Sequence, residues 1–178
     1  MSGVTADNVG RSSGLIKAAG GGGKVGQVVQ TVKTDTTSST ATSFTDITGI
    51  TVNITPSASS SKILVMAHLP FNGGAAGYSI TFRLVRDSTA IFAADTASNR
   101  PLGFFASHFN TGHVRFMWQA GPINYLDSPS TTSETTYKIQ SLNENVGVTY
   151  YNRTYTDNDG TQYDGRAAAS ISAIEILA

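Results

Sequence analysis

Asp157, Asp159 and Gly160 stand in the segment TDNDGTQYDG, residues 156–165, at the spacing of the middle of a calcium-binding loop. Carboxylates alternating with small polar residues can offer hard oxygen ligands to a divalent cation, and Asp164 could add another. The pattern fails at both ends. Tyr155 stands two positions before Asp157, where a ligand is needed, and Arg166 takes the place of the closing glutamate. A hairpin loop rich in Asn, Asp and Gly accounts for the segment better, with a surface cation held by Asp157, Asp159 and Asp164 as the alternative.

The other residues capable of chemistry are dispersed. His68, His108 and His113 fall in no HExxH or HxH spacing. His108 and His113 flank Asn110-Thr111-Gly112, which reads as a loop between two aromatic strands. Glu134, Glu144 and Glu175 form no carboxylate pair that the sequence reveals. No GxSxG elbow is present. The run GGGGK, residues 20–24, only superficially resembles a phosphate loop, since Val25 follows the lysine and no strand precedes the run. The absence of cysteine excludes disulfides, thiolate nucleophiles and cysteine-based zinc sites. The sequence therefore predicts a protein that is not an enzyme, with no catalytic residue, no cofactor and no metal centre.

Two aromatic pairs, Phe104-Phe105 and Tyr150-Tyr151, could offer platforms for a sugar or a base, or could pack in a core or between subunits. Asn110, His113, Tyr150 and Tyr151 are the candidate contacts of surface loops. Loops at 72–77, 95–101, 110–113 and 156–165 are the candidates to meet a host surface, such as a glycan. Asn152-Arg153-Thr154 matches a glycosylation sequon.

Charge and composition set further bounds. The formal net charge is zero and the pI about 6.8, so nothing attracts nucleic acid or an anionic membrane. Charged residues make up only 13% of the chain, and Ser and Thr fill the gap with about a quarter of all residues. Hydroxyls suit strand surfaces, turns and surfaces covered by another chain, because they cost less to bury than charges. MSGVTADNVGR lacks the basic and apolar regions of a signal peptide, and no stretch is apolar for long enough to cross a membrane as a helix. The expectation is synthesis in a cytoplasm without export by the usual route and without membrane insertion.

The chain divides at Lys24. Residues 1–24 hold few large apolar side chains and close on the Gly20–Gly23 run, a flexible linker by composition. They are expected to form an anchor peptide, with Val9, Leu15, Ile16 and Lys17 as its assembly contacts. Residues 25–178 read as β. Strands are predicted at 25–33, 44–54, 62–69, 78–86, 89–93, 102–109, 113–119, 135–142, 146–155 and 167–177, separated by Gly, Pro, Ser and Thr clusters. In 44–54, Ile50, Val52 and Ile54 share one face, and in 78–86 Ile80, Phe82 and Leu84 do. KILVMAHL, residues 62–69, is apolar enough for burial on both faces and is expected to end at Pro70. In the last segment Ile171, Ile174 and Ile176 break strict alternation, which suggests a bulge. Its apolar end calls for a place near the middle of a sheet. Such spacing predicts an all-β antiparallel β-sandwich, a jelly roll, preceded by the extended anchor.

Several of these segments also carry a resemblance. GKVGQVVQTVKTDT, then SFTDITGITVNITPSASSSKILVMAHL, then YLDSPSTTSETTYKIQS and the closing SISAIEILA resemble a group of small tail-fibre and virion structural proteins of aquatic phages. The match runs from about Gly23 to Ala178, in strands and turns and not in functional residues. It implies a head similar to the trimeric jelly rolls of the C1q and tumour-necrosis-factor kind. It also implies a virion protein that forms a homotrimer, docks on a capsid, neck or tail protein through residues 1–24, and projects its sandwich outward. Capsid decoration is the alternative, and glycan binding a further one.

Overall fold

A computed structural model of the chain describes residues 24–74, 77–109, 119–145, 147–159 and 164–178. Alternation of β-branched and polar residues yields strands, and the strands are β1 (Val25–Lys33), β2 (Thr37–Ser39), β3 (Thr45–Ile54), β4 (Lys62–His68), β5 (Pro70–Gly73), β6 (Tyr78–Arg86), β7 (Thr89–Phe92), β8 (Phe105–Phe109), β9 (Gln119–Ala120), β10 (Ile123–Asp127), β11 (Thr135–Asn143), β12 (Thr149–Tyr151) and β13 (Ala169–Ile176). Their pairings are all antiparallel.

The first sheet has the order β1-β13-β4-β10 and the short sheet β2-β12-β5-β9. The second sheet has the order β3-β11-β6, and β7 and β8 follow one another along the free edge of β6. β2 continues β1, β5 continues β4, β9 leads into β10, and β12 and β13 occupy the same column. The short sheet is thus the first sheet carried on past a kink. Counted once each, the interrupted strands among the described residues number eight. They run 1-8-3-6 in one layer and 2-7-4-5 in the other, which is the jelly-roll order. The last strand lies between β1 and β4, inside its sheet, as its apolar end demands.

The kink has a local cause. Pro70 has no N–H to give a ladder, and Asn152 takes the left-handed conformation at φ 61°. The Asn152 backbone N–H donates to Pro70 O at 3.2 Å, and its side-chain amide donates to Lys33 O at 2.8 Å and Asp35 O at 3.0 Å. One buried residue, through its backbone and its side chain together, therefore stitches three strand columns where their ladders break.

Several sequence expectations need correction. Pro70 interrupts the apolar run, but pairing resumes at once as β5, because Leu69 O and Pro70 O still accept bonds. The polar linker contains β2, and residues 123–127, read as connection, form β10. The strand predicted at 146–155 is only β12, since Asn152 turns the chain out into a loop before β13. Most of the segment predicted at 113–119 lies outside the described residues. The period slip at the C-terminus is not a bulge. β13 pairs with β4 without a break from Ser170 to Ile176, so Ile171 faces in and Ile174 and Ile176 face out. The bulges lie in β1 between Val25 and Val28, in β7 between Ala90 and Phe92, and in β3, where Gly49 at φ 83° lets Ile47 and Ile50 both turn inward.

Between the layers, Ile50, Val52 and Ile54 of β3 and Ile80, Phe82 and Leu84 of β6 meet Ile63 and Val65 of β4 and Ile171 of β13. The Phe71 and Phe82 rings meet edge to face at 4.8 Å. Each such side chain contributes about 1.5–3 kcal/mol by leaving water. One ionic clamp crosses the core. Arg86 Nη1 of β6 donates to both Asp127 oxygens at 2.9 and 2.8 Å, and the Tyr137 hydroxyl of β11 donates to Asp127 Oδ2 at 2.7 Å. It ties β10 of the first sheet to the second.

Candidate interaction surface

Alternation in β4 sends Ile63 and Val65 to the core and Lys62, Leu64, Met66 and His68 outward. This run was expected to be buried on both faces, yet Met66 is 41% exposed. Its neighbours share the character. Across the four strands, Val28, Ile174, Leu64 and Leu126 stand in register and form one apolar row on the outer face. The next row is Gln30, Ser172, Met66 and Asn124, with Gln30 Nε2 donating to Ser172 Oγ at 2.9 Å. A third row holds Val32, Ser170 and His68. Val28, Val32 and Leu126 are 61%, 55% and 49% exposed. Among the outward positions of these strands, Lys62 is the single full charge, opposite Ile176 at the margin.

The second sheet presents a different outer face. Asp46 accepts from Lys138 Nζ at 2.8 Å and Gln140 Nε2 at 2.7 Å. Arg83 donates to Gln140 Oε1 at 2.9 and 2.7 Å and lies over the Phe44 ring at 4.0 Å. Burial pushes the Asp46 carboxyl up, but the bonds from Lys138 and Gln140 outweigh it and hold the pKa below its ordinary value. This is a network of paired, solvated charge.

Residues 152–159 leave the sheet at the kink, and residues 164–168 lead into β13. Asp157 spends both oxygens on Arg166, Nε to Oδ1 at 2.9 Å and Nη2 to Oδ2 at 2.9 Å, and Arg153 stands 3.7 Å away. Asp164 accepts the hydroxyls of Thr154 and Thr156, which hold its pKa down. Asp159 lines the same open pocket with Arg166. Among the described residues no three His, Asp or Glu side chains gather to hold a metal ion. Arginine and threonine occupy the carboxylates of Asp157 and Asp164, the two aspartates that with Asp159 made up the candidate cation site.

Strand alternation splits Tyr150 from Tyr151. Tyr150 faces out, with the Arg153 guanidinium 4.0 Å above its ring and Tyr155 edge-on at 5.8 Å. Tyr151 is not a surface contact. It is buried, its hydroxyl donates to Ser141 Oγ at 2.8 Å, and burial pushes its phenol pKa up. Phe104 stacks on Phe92 at 5.7 Å, and Phe105 packs on Phe71 at 5.9 Å, so this pair serves packing. His68 lies outward on the first sheet and His108 pairs with Ser79 at 3.1 Å on the second, so they do not meet. Glu134 accepts from Asn53 Nδ2 at 3.5 Å and precedes β11, while Glu144 follows it, so the two stand at opposite ends of that strand. The loop at 95–101 leaves the side edge of β6 between β7 and β8. Val9, Leu15, Ile16, Lys17, Asn110 and His113 lie outside the described residues.

Sequence reasoning missed the role of Glu175. It is buried in β13, and its carboxylate accepts from Ser57 N at 2.7 Å, Ser57 Oγ at 2.6 Å and Gln27 Nε2 at 2.9 Å. Burial pushes its pKa up, but the bonds from Ser57 and Gln27 prevail and bring it to about 2. A glutamate between two isoleucines was the available signal, since an acid at an inward strand position needs dedicated donors.

No family model and no curated protein matches the chain. Among solved structures it is similar to a T=1 particle derived from infectious bursal virus, at 15% identity and a TM-score of 0.41, covering 85% of this chain and 40% of that one. It is also similar to the VP2 subviral particle of infectious bursal disease virus, at 16% identity and a TM-score of 0.42, covering 85% of this chain and 37% of that one. The chain spans about two fifths of the length of these proteins.

Proposed function

We propose that the chain is a non-enzymatic structural component of a bacteriophage particle. It is a homotrimeric tail or neck fibre component, held by residues 1–24 and projecting its jelly roll. The observation that carries this reading is the use made of the buried acids. Asp127 joins the layers, and Glu175 binds the 55–61 connection and β1 to β13. Acids tied into struts by Arg86, Tyr137, Ser57 and Gln27 serve rigidity. The strand-and-turn resemblance to small phage virion proteins supplies the particle.

Cryo-electron microscopy of intact particles tests it. A few copies at the neck or tail, with residues 1–24 seated in another protein, are expected. Hundreds of copies on the capsid lattice would make the chain a decoration protein instead, and absence from the particle would overturn the structural reading.

A further inference from the structure

We infer that the outer face of the first sheet is where copies of this chain pack on one another. The inference deepens the proposed homo-oligomer by naming its surface, and rests on that reading for the order of the assembly alone.

The face carries the apolar row Val28, Ile174, Leu64 and Leu126, bordered by Gln30 and Asn124. Scattered apolar side chains are normal on a surface, but a row continuous across four strands is not. The occupant must match what the face lacks. With Lys62 as its single full charge, the face offers nothing to nucleic acid, an anionic membrane or a charged protein. A second copy brings the same apolar and amide- and hydroxyl-bearing rows, so that no charge is stripped of water without a partner. The second sheet, with Asp46, Lys138 and Arg83 in a solvated network, is the face suited to remain in water.

Area agrees. At about 3.3 Å per residue and about 4.8 Å between strands, four strands the length of β4 cover about 450 Å² in projection. Side-chain relief raises the accessible area toward the roughly 800 Å² that each partner gives to a standard interface.

The test uses the full chain at micromolar concentration, with its mass measured by light scattering after size exclusion. The wild type is expected at a multiple of 18.7 kDa. Leu126→Lys and Met66→Lys should shift it to the monomer with unchanged circular dichroism, whereas Asn53→Lys on the second sheet should leave the oligomer intact. A wild-type monomer would overturn the inference, as would folded Leu126→Lys and Met66→Lys proteins that keep the wild-type mass. If the lysine variants fail to fold, spin labels decide the matter, because the chain has no native thiol. Ser172→Cys should show dipolar broadening between copies and Asn53→Cys none, and the reverse would refute the face. A chain that oligomerises through this face but is missing from particles refutes the proposed function alone. A chain found in particles but monomeric when purified refutes this inference and the homotrimer with it, and leaves the virion reading standing.

Discussion

Replacing Glu175 with Gln removes the charge that takes three hydrogen bonds from Ser57 and Gln27, while keeping the size of the side chain. The new amide brings donors into a space built of donors, so Glu175→Gln should cost about 1–3 kcal/mol in urea unfolding. The wild-type carboxyl titrates at about 2 when folded, against an ordinary 4.5. A folded pKa below the unfolded one means that the unfolded chain binds the proton first. The stabilisation is therefore complete above pH 4.5 and fades as the pH falls toward about 2. Unfolding midpoints across that range should fall less steeply with acid in Glu175→Gln than in the wild type, and parallel curves would show that the carboxylate is not the group responsible. Tyr137→Phe tests the other buried acid. Burial, together with the bond to Asp127, pushes the Tyr137 pKa up, so its hydroxyl is a donor at neutral pH. Its loss leaves Asp127 paired with Arg86 and should cost about 1.5–3 kcal/mol, with the denaturant slope unchanged.

At the scale of elements, Asn152 is the most informative position, because it serves both backbone and side chain. Asn152→Ala loses the bonds to Lys33 O and Asp35 O and forces alanine into the left-handed region, a cost of about 2–4 kcal/mol. Asn152→Gly loses the same bonds without the strain and should recover about 1 kcal/mol of that in thermal unfolding. Equal losses would show that conformation plays no part at the kink. The same element shows where the sequence was legible. Strands β1, β3, β6, β11 and β13 run for eight to ten residues, and their bounds could be read to within a residue or two. β2, β5, β9 and β12 are two to four residues long, too short for a period to declare itself. They exist because a neighbouring column carries the ladder past the kink. The outer face of the first sheet was half legible. The apolar excess of β4 and the broken alternation of β13 were both visible, but a sequence does not say that they lie side by side in register. Tyr151 could not join Tyr150 at the surface for a plainer reason, since adjacent strand residues must face opposite ways.

For the molecule as a whole, the order 1-8-3-6 places the last strand between the first and third. β13 completes the ladders of both β1 and β4, contributes Ile171 and Ala173 to the core, and carries Glu175 to its donors. Until it arrives, β1 has no neighbour within its own sheet, and the inner faces of β1 and β4 have no covering strand between them. Closing contacts between strands so far apart in sequence carries a large entropic cost before any return, so folding should be slow, in the range of about milliseconds to seconds. It also makes folding depend on the final residues. A chain ending at residue 168 keeps every strand of the second sheet but should fail to form a protease-resistant core. The full chain should gain resistance in one step as β13 becomes available. Limited proteolysis of the two purified chains under identical conditions makes the comparison. A resistant core in the shorter chain would mean that the second sheet holds its fold unaided, and that β13 joins a structure already made.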